Sequence, residues 1–255
     1  MIQILKYVLR DVLRARFVLF YTLFLLLSTS LLLQLDSDPD KAVMSLLNIV
    51  LLVVPLVSII FTTIHYFNSY EFILLLMAQP IDRRSVFLSQ YLGVALSLCA
   101  AFAVGVGVPA LLFGVASKMG LMILVGMAST IVFVSLAFLS TSFTRDKAKG
   151  IGIALLFWFY FSLIYDGILL WVVYSFSDYP METATLVLSS LNPIDLARIT
   201  MLLSLDASAL MGYTGAFFKN FFGSGLGISF TAAMMLMWMF WPVQVSLRRF
   251  KKNDL

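Results

Sequence analysis

In 255 residues this chain has one cysteine, Cys99, and one histidine, His65. A lone cysteine excludes an intrachain disulfide. One Cys and one His cannot build a Cys/His metal cage, so no metal site is expected within the chain. Charge is also scarce: Asp, Glu, Lys and Arg make up 12% of residues, roughly half the usual quarter. That share cannot coat a water-soluble globule of this size. A soluble enzyme, an intrinsically disordered chain and a free nucleic-acid binder are therefore excluded. No GxxxxGK[ST] phosphate loop is present. No nucleophile, base and orienting residue can be grouped either, because His65 falls at the edge of an apolar run. The chain is expected to be non-catalytic and to carry no cofactor of its own.

What is abundant is apolar surface: 62% of residues are hydrophobic and 15% aromatic, with a mean hydropathy of +1.01. A spanning helix needs roughly 20 apolar residues. Backbone groups in lipid must pair internally, so long uncharged runs read as helices. The six runs are Phe17–Gln34, Ala42–Ile64, Val86–Gly114, Met119–Phe143, Gly150–Phe176 and Phe221–Leu247. None alternates as a porin strand does. The expected fold is an all-α membrane protein, a single transmembrane domain over residues 1–255. The first run is too long for a cleavable signal and no small-residue cleavage site follows it. Before it, Met1–Arg16 is amphipathic. Ile4, Leu5, Val8, Leu9 and Val12 recur at helical spacing, with Lys6, Arg10, Arg14 and Arg16 supplying charge. Such a helix lies in the headgroup layer.

Orientation follows from the basic residues. With the N-terminus inside, thirteen of the 17 lysines and arginines are cytoplasmic. They are Lys6, Arg10, Arg14 and Arg16, then Arg83 and Arg84, then Arg145, Lys147 and Lys149, then Arg248, Arg249, Lys251 and Lys252. Only Lys41, Lys118, Arg198 and Lys219 fall outside, where Asp36, Asp38, Asp40, Asp178, Glu182, Asp195 and Asp206 also lie. Six spans place both termini inside. The net charge of +4 is thus a distribution across a bilayer, not a nucleic-acid patch.

Between spans two and three, Glu71–Gln79 is apolar but too short to cross. Pro80 ends it, and Asp82 is placed to cap the next helix, anchored by Arg83 and Arg84. This short cytoplasmic helix needs burial, in lipid or in a partner; the residues alone leave both open. The second inner loop, Thr144–Lys149 with Arg145, Asp146 and Lys147, reads first as a topological anchor. The link between spans five and six, Ser177–Asn220, is long. Within it Asn192-Pro193-Ile194-Asp195 is a helix start. Leu196, Ile199, Leu202 and Leu203 give that helix an apolar face, and it is expected to lie on or dip into the outer leaflet.

Asp166 is the only ionisable residue inside a span. A buried carboxylate usually faces a bundle interior or water. It is either a gate or pathway residue at a subunit interface, or a structural carboxylate bonded to Tyr165, Tyr174 or a neighbouring helix. His65 reads as a capping or interfacial residue, and Cys99 as packing. Met234, Met235, Met237 and Met239 face all round one helix and read as gap-filling rather than as copper ligands. Gly105, Gly107, Gly150 and Gly152 are candidates for close helix contact.

The stretch Leu74-Leu75-Leu76-Met77-Ala78-Gln79-Pro80-Ile81-Asp82-Arg83-Arg84-Ser85 resembles the leucine-run, Pro and Arg motif of ABC-2-type transporter permeases. Trp158–Asp166 and Leu191–Arg198 are similar to the same family, and most so to its NosY-type members. The resemblance implies six transmembrane helices, an N-terminal elbow helix, a cytoplasmic coupling helix between spans two and three, and a long outer loop. It further implies a homodimer seated on a dimer of ABC ATPase subunits that bind ATP and Mg, in a bacterial inner membrane. On that reading Glu71, Leu75, Leu76, Gln79, Pro80, Arg83 and Arg84 dock the ATPase, with Arg145, Asp146 and Lys147 as a second contact. Asn192, Pro193, Asp195 and Arg198 would meet a periplasmic accessory protein. The subgroup implies a role in copper-site maturation of nitrous oxide reductase. An ATPase-independent scaffold and a secondary transporter or channel are the alternatives.

Overall fold

The computed structural model describes residues 2–35, 38–176, 179, 181–204, 222 and 224–252. Among these every regular element is helical. In chain order they are α1 (Ile2–Arg14), α2 (Arg16–Leu35), α3 (Pro39–Asn68), α4 (Tyr70–Met77), α5 (Arg83–Leu112), α6 (Ala116–Thr141) and α7 (Lys147–Phe159). A π-helical turn (Tyr160–Ile164) then leads into α8 (Tyr165–Ser175), followed by α9 (Glu182–Leu191), α10 (Pro193–Ser204) and α11 (Gly225–Lys252). Six spans are long and apolar enough to cross a membrane: α2, α3, α5, α6, the α7–π–α8 column and α11.

Carboxylates set several helix starts, which is why the helices begin ahead of the apolar runs. Asp38 accepts from the Asp40 N–H and opens α3. Asp82 accepts from Arg84 N at 3.2 Å and starts α5 at Arg83 rather than Val86. Asp146 accepts from Lys149 N at 3.0 Å and starts α7 at Lys147 rather than Gly150. Each satisfies a backbone donor that the first helical turn leaves unpaired. At the far end of the chain α11 begins at Gly225, and Phe221 lies outside the described residues. So do Ser177 and Asn220, the bounds of the long loop, and Asp36, Asp178, Asp206 and Lys219.

The interior is built around α5 and α6. In each, 61% of the most apolar stretch is buried, against 11% for the α7–π–α8 column. The α6 helix touches α3, α5, α7, α10 and α11. The amphipathic α1 breaks from α2 at Ala15 and lays Val8 and Val12 against α5. Glycine makes these crossings close. A Cβ on Gly93 would sit 2.6 Å from Val8 Cγ1, and one on Gly105 would sit 2.7 Å from Leu25 Cβ. Gly107 and Gly152 meet no such neighbour.

The segment after α8 does not lie along a surface. Its α9 and α10 limbs are bent by 114° at Asn192. Ile194, Leu196, Ala197, Ile199 and Met201 of α10 are buried, packed on α6, α3 and α11. The α10 limb is therefore packed into the helical bundle.

Candidate functional site

Two groups of sequence-selected residues come together, at opposite ends of the bundle. At the first end, α4 follows α3 after a single-residue break at Ser69. Its 3.6-residue period divides the leucine run. Ile73 and Leu76 turn inward, with Leu76 9% exposed, while Leu75 is 67% exposed. Glu71, Gln79, Pro80, Arg83 and Arg84 are exposed as well. Thus Leu76 supports α4 and Leu75 is presented by it.

The second inner loop joins this face. Lys147 Nζ donates to Asn68 Oδ1 at 2.7 Å, tying the loop to the α3–α4 junction. Arg145, Asp146 and Lys147 are exposed. The Lys149 backbone N–H holds the Asp146 carboxyl below the usual carboxylate range. The C-terminal helix also arrives here: Arg83 Nη1 donates to the Lys251 carbonyl at 3.3 Å, and the Arg249 guanidinium lies 4.2 Å over the Phe143 ring. A cavity of about 250 Å³ lies between Tyr66, Phe67, Tyr70, Thr141–Arg145, Ser246 and Phe250. Its floor includes Phe87, whose ring meets those of Phe138 and Phe250 at 5.3 and 5.4 Å. Three separate stretches of sequence thus form one face.

At the opposite end, Asp166 has a partner. Arg198 Nη1 donates to Asp166 Oδ2 at 3.0 Å and to Asp195 Oδ1 at 3.1 Å. Asn192 Nδ2 donates to Asp195 Oδ2 at 3.1 Å and to the Phe161 carbonyl at 2.9 Å. Asn192 Oδ1 meanwhile accepts from Ile194 N, so the same side chain caps α10. The Phe161 carbonyl lies in the π turn, where the wider ladder disturbs normal i→i+4 pairing and leaves a carbonyl for a side chain to take. Tyr165 Oη donates to the Leu188 carbonyl at 2.6 Å, fastening the start of α8, just after that turn, to α9. Phe161 packs edge-on against Trp238 of α11 at 5.1 Å.

The Asp166 carboxylate is thus bonded to a neighbouring helix and not to Tyr165 or Tyr174. Tyr165 is spent on Leu188, and Tyr174 is 83% exposed. Asn192 and Asp195, selected as outward contacts, are buried at 0% and 6% exposure. Arg198 keeps 37% of its side chain exposed and Asp166 29%. The sequence reading missed the pairing of Arg198 with Asp166 and the π turn. The available signal was a lone basic residue on an apolar helix, since charges at membrane depth pair. Among the described residues no three His, Cys, Asp or Glu converge as metal ligands.

Comparison with known proteins bears on the whole arrangement. A family model described as "ABC-2 family transporter protein" matches residues 71–255, from α4 onward. A protein from Pseudomonas aeruginosa named "Probable ABC transporter permease protein NosY" is 32% identical over 150 residues. The match covers 55% of this chain and 54% of that protein, so the chain spans about half the length of this relative.

Proposed function

We infer the function from one premise: the chain belongs to the ABC-2 family of transporter proteins, as a multi-pass membrane permease subunit. We propose that it couples ATP hydrolysis by a separate ABC ATPase dimer to movement of its own spans. The single observation that carries this is the presented side of α4. There Leu75 is exposed, as are Glu71, Gln79, Pro80, Arg83 and Arg84, and hydrogen bonds tie the flanks of this segment to the 145–147 loop and the end of α11. An exposed apolar side chain in a charged segment suits a protein partner rather than open water. The basic side chains of that segment match an acidic docking surface. Mg and ATP belong to that partner.

On this reading the α4 end and both termini are cytoplasmic, in a bacterial inner membrane. The α7–π–α8 column supports a homodimer. It is the least buried span, and its part-exposed Asp166–Arg198 pair needs cover from lipid. Movement of α4 would pass through the core to the α9–α10 limb, which is where a periplasmic accessory protein would engage. Likeness to the NosY-type permeases supports work on copper-site maturation of nitrous oxide reductase, by transport or by force on a partner.

The test is co-purification with the cognate ATPase. Leu75→Asp leaves the chain monodisperse in detergent and abolishes ATPase capture. Leu76→Asp serves as the contrasting variant, because it buries a charge and lowers thermal stability first. Undiminished ATPase capture and coupling by Leu75→Asp would overturn docking through α4, and no capture by the unsubstituted chain would favour an ATPase-independent scaffold.

A further inference from the structure

A second site adjoins α4. A groove of about 470 Å³ runs between α1 and the end of α3. Two helical stripes line it. Tyr7, Asp11 and Arg14 recur at i, i+4 and i+7 on α1; Phe61, His65 and Asn68 do the same on α3. Residues at those spacings share one helix face. Phe72 of α4 also lines the groove and packs on Tyr7 at 5.1 Å.

The groove therefore carries one carboxylate and one guanidinium, a helical turn apart, between aromatic walls. They are not spent on each other: among the described residues Arg14 makes no ion pair. Asp11 is 57% exposed, and its only ion-pair neighbour there is His65 Nδ1 at 4.0 Å, beyond hydrogen-bond range. His65 Nε2 is buried without a partner among the described residues. From the groove an apolar path leads onward, because Phe61 stacks on Phe17 at 5.5 Å. Phe17, Phe20 and Phe24 continue along the exposed face of α2.

We propose that this groove binds the headgroup of a phosphatidylethanolamine lipid. Arg14 takes the phosphate and Asp11 the primary ammonium, with the acyl chains running along Phe17 and the exposed face of α2. Charge balance selects the class. A purely anionic headgroup would meet the Asp11 carboxylate, and a quaternary ammonium has no N–H to give it. In ethanolamine lipids the phosphorus and nitrogen are separated by four covalent bonds, a short span suited to two side chains one turn apart. An acyl-anchored ligand also explains a polar groove opening onto an apolar helix face. Occupancy would bridge α1, α3 and α4 and so brace the docking helix. That last consequence rests on the docking role proposed above; lipid binding itself does not.

The full-length chain in detergent would be analysed by native mass spectrometry with ethanolamine, choline and glycerol phospholipids of matched acyl chains. Soluble phosphoethanolamine would be tested beside them. The ethanolamine lipid is retained about tenfold over the other two, and Asp11→Asn or Arg14→Gln each lowers its retention about tenfold, the effect of one charge-assisted hydrogen bond. Both residues are exposed, so the variants fold, which monodispersity checks. Lys6→Gln, outside the groove, leaves selectivity unchanged. Equal retention of all three lipids, or selectivity that survives both groove variants, would overturn the proposal in favour of annular lipid. Equal protection by phosphoethanolamine would overturn the lipid in favour of a free phosphoamine. ATPase capture is scored separately, so a failure of docking through α4 does not affect this outcome.

Discussion

At the α4 end the carboxylates of Asp82 and Asp146 are exposed and each caps a helix start. At the α9–α10 end the carboxylates of Asp166 and Asp195 converge on a single guanidinium, and Asn192 beneath them is fully buried. The first arrangement leaves polar groups free to meet water or a partner. The second consumes them within the chain, holding a bent helical limb inside an apolar bundle. The contrast teaches that the two ends tolerate change differently. Substitutions at the α4 end should register in assembly, and those at the other end in stability.

The largest effect is expected at Arg198. Arg198→Met leaves two carboxylates without their shared cation. Losing a partner from a fully buried pair costs roughly 3–5 kcal/mol, and the partial exposure of this one brings it to about 3 kcal/mol. Thermal unfolding in mild detergent measures it. The Arg198→Met, Asp166→Asn double variant recovers part of that loss, because one uncompensated charge is removed with it. An additive double variant would show that the pair is not coupled and would erase the contrast between the ends.

Next comes Asn192→Leu, which strips the α10 cap and leaves the Phe161 carbonyl without its donor. A buried group so abandoned costs about 2 kcal/mol. The π turn should also exchange its amide hydrogens faster. If stability falls while exchange across Tyr160–Ile164 is unchanged, Asn192 acts only as a cap and does not secure the turn.

These residues mark where sequence was legible. The six spans and the Asp82 and Asn192 caps are local signals, written within a few residues, and they appear as read; the Asp146 cap is equally local but goes unread, because its loop reads first as a basic anchor. The inward bend of α9–α10 and the Arg198–Asp166 bond depend on packing between distant segments. Leu75 and Leu76 look alike in sequence, because only the seating of α4 decides which one faces out. The α1–α3 groove was hidden for the same reason: its two stripes are each visible, but nothing in either says that they meet.

At the α4 end the effects shrink. Asp82→Ala removes an exposed cap and costs about 1 kcal/mol, while its larger signature should be weaker ATPase capture, since the turn it fixes leads out of α4. Stability lost without any loss of capture would place that turn outside the docking face.

The smallest effect is a pH dependence at Asp146. The Lys149 N–H holds its carboxyl below the usual range. A carboxyl depressed in the folded state contributes its full stabilisation above its unfolded value, about 4. That contribution is lost as pH falls through the lower folded value. The start of α7 should therefore be closed at neutral pH and loosen only under acid conditions below about pH 4. Amide exchange over 147–150 would follow it, with Asp146→Asn removing the acid-induced step. Because Asp146 is exposed and lies at the other end from Asp166, the Asp146→Asn substitution should leave exchange in the π turn unchanged at neutral pH. A simultaneous change at both ends would show that the 145–147 loop and the outer network move as one element, which is the coupling that a permease driven from its α4 end requires.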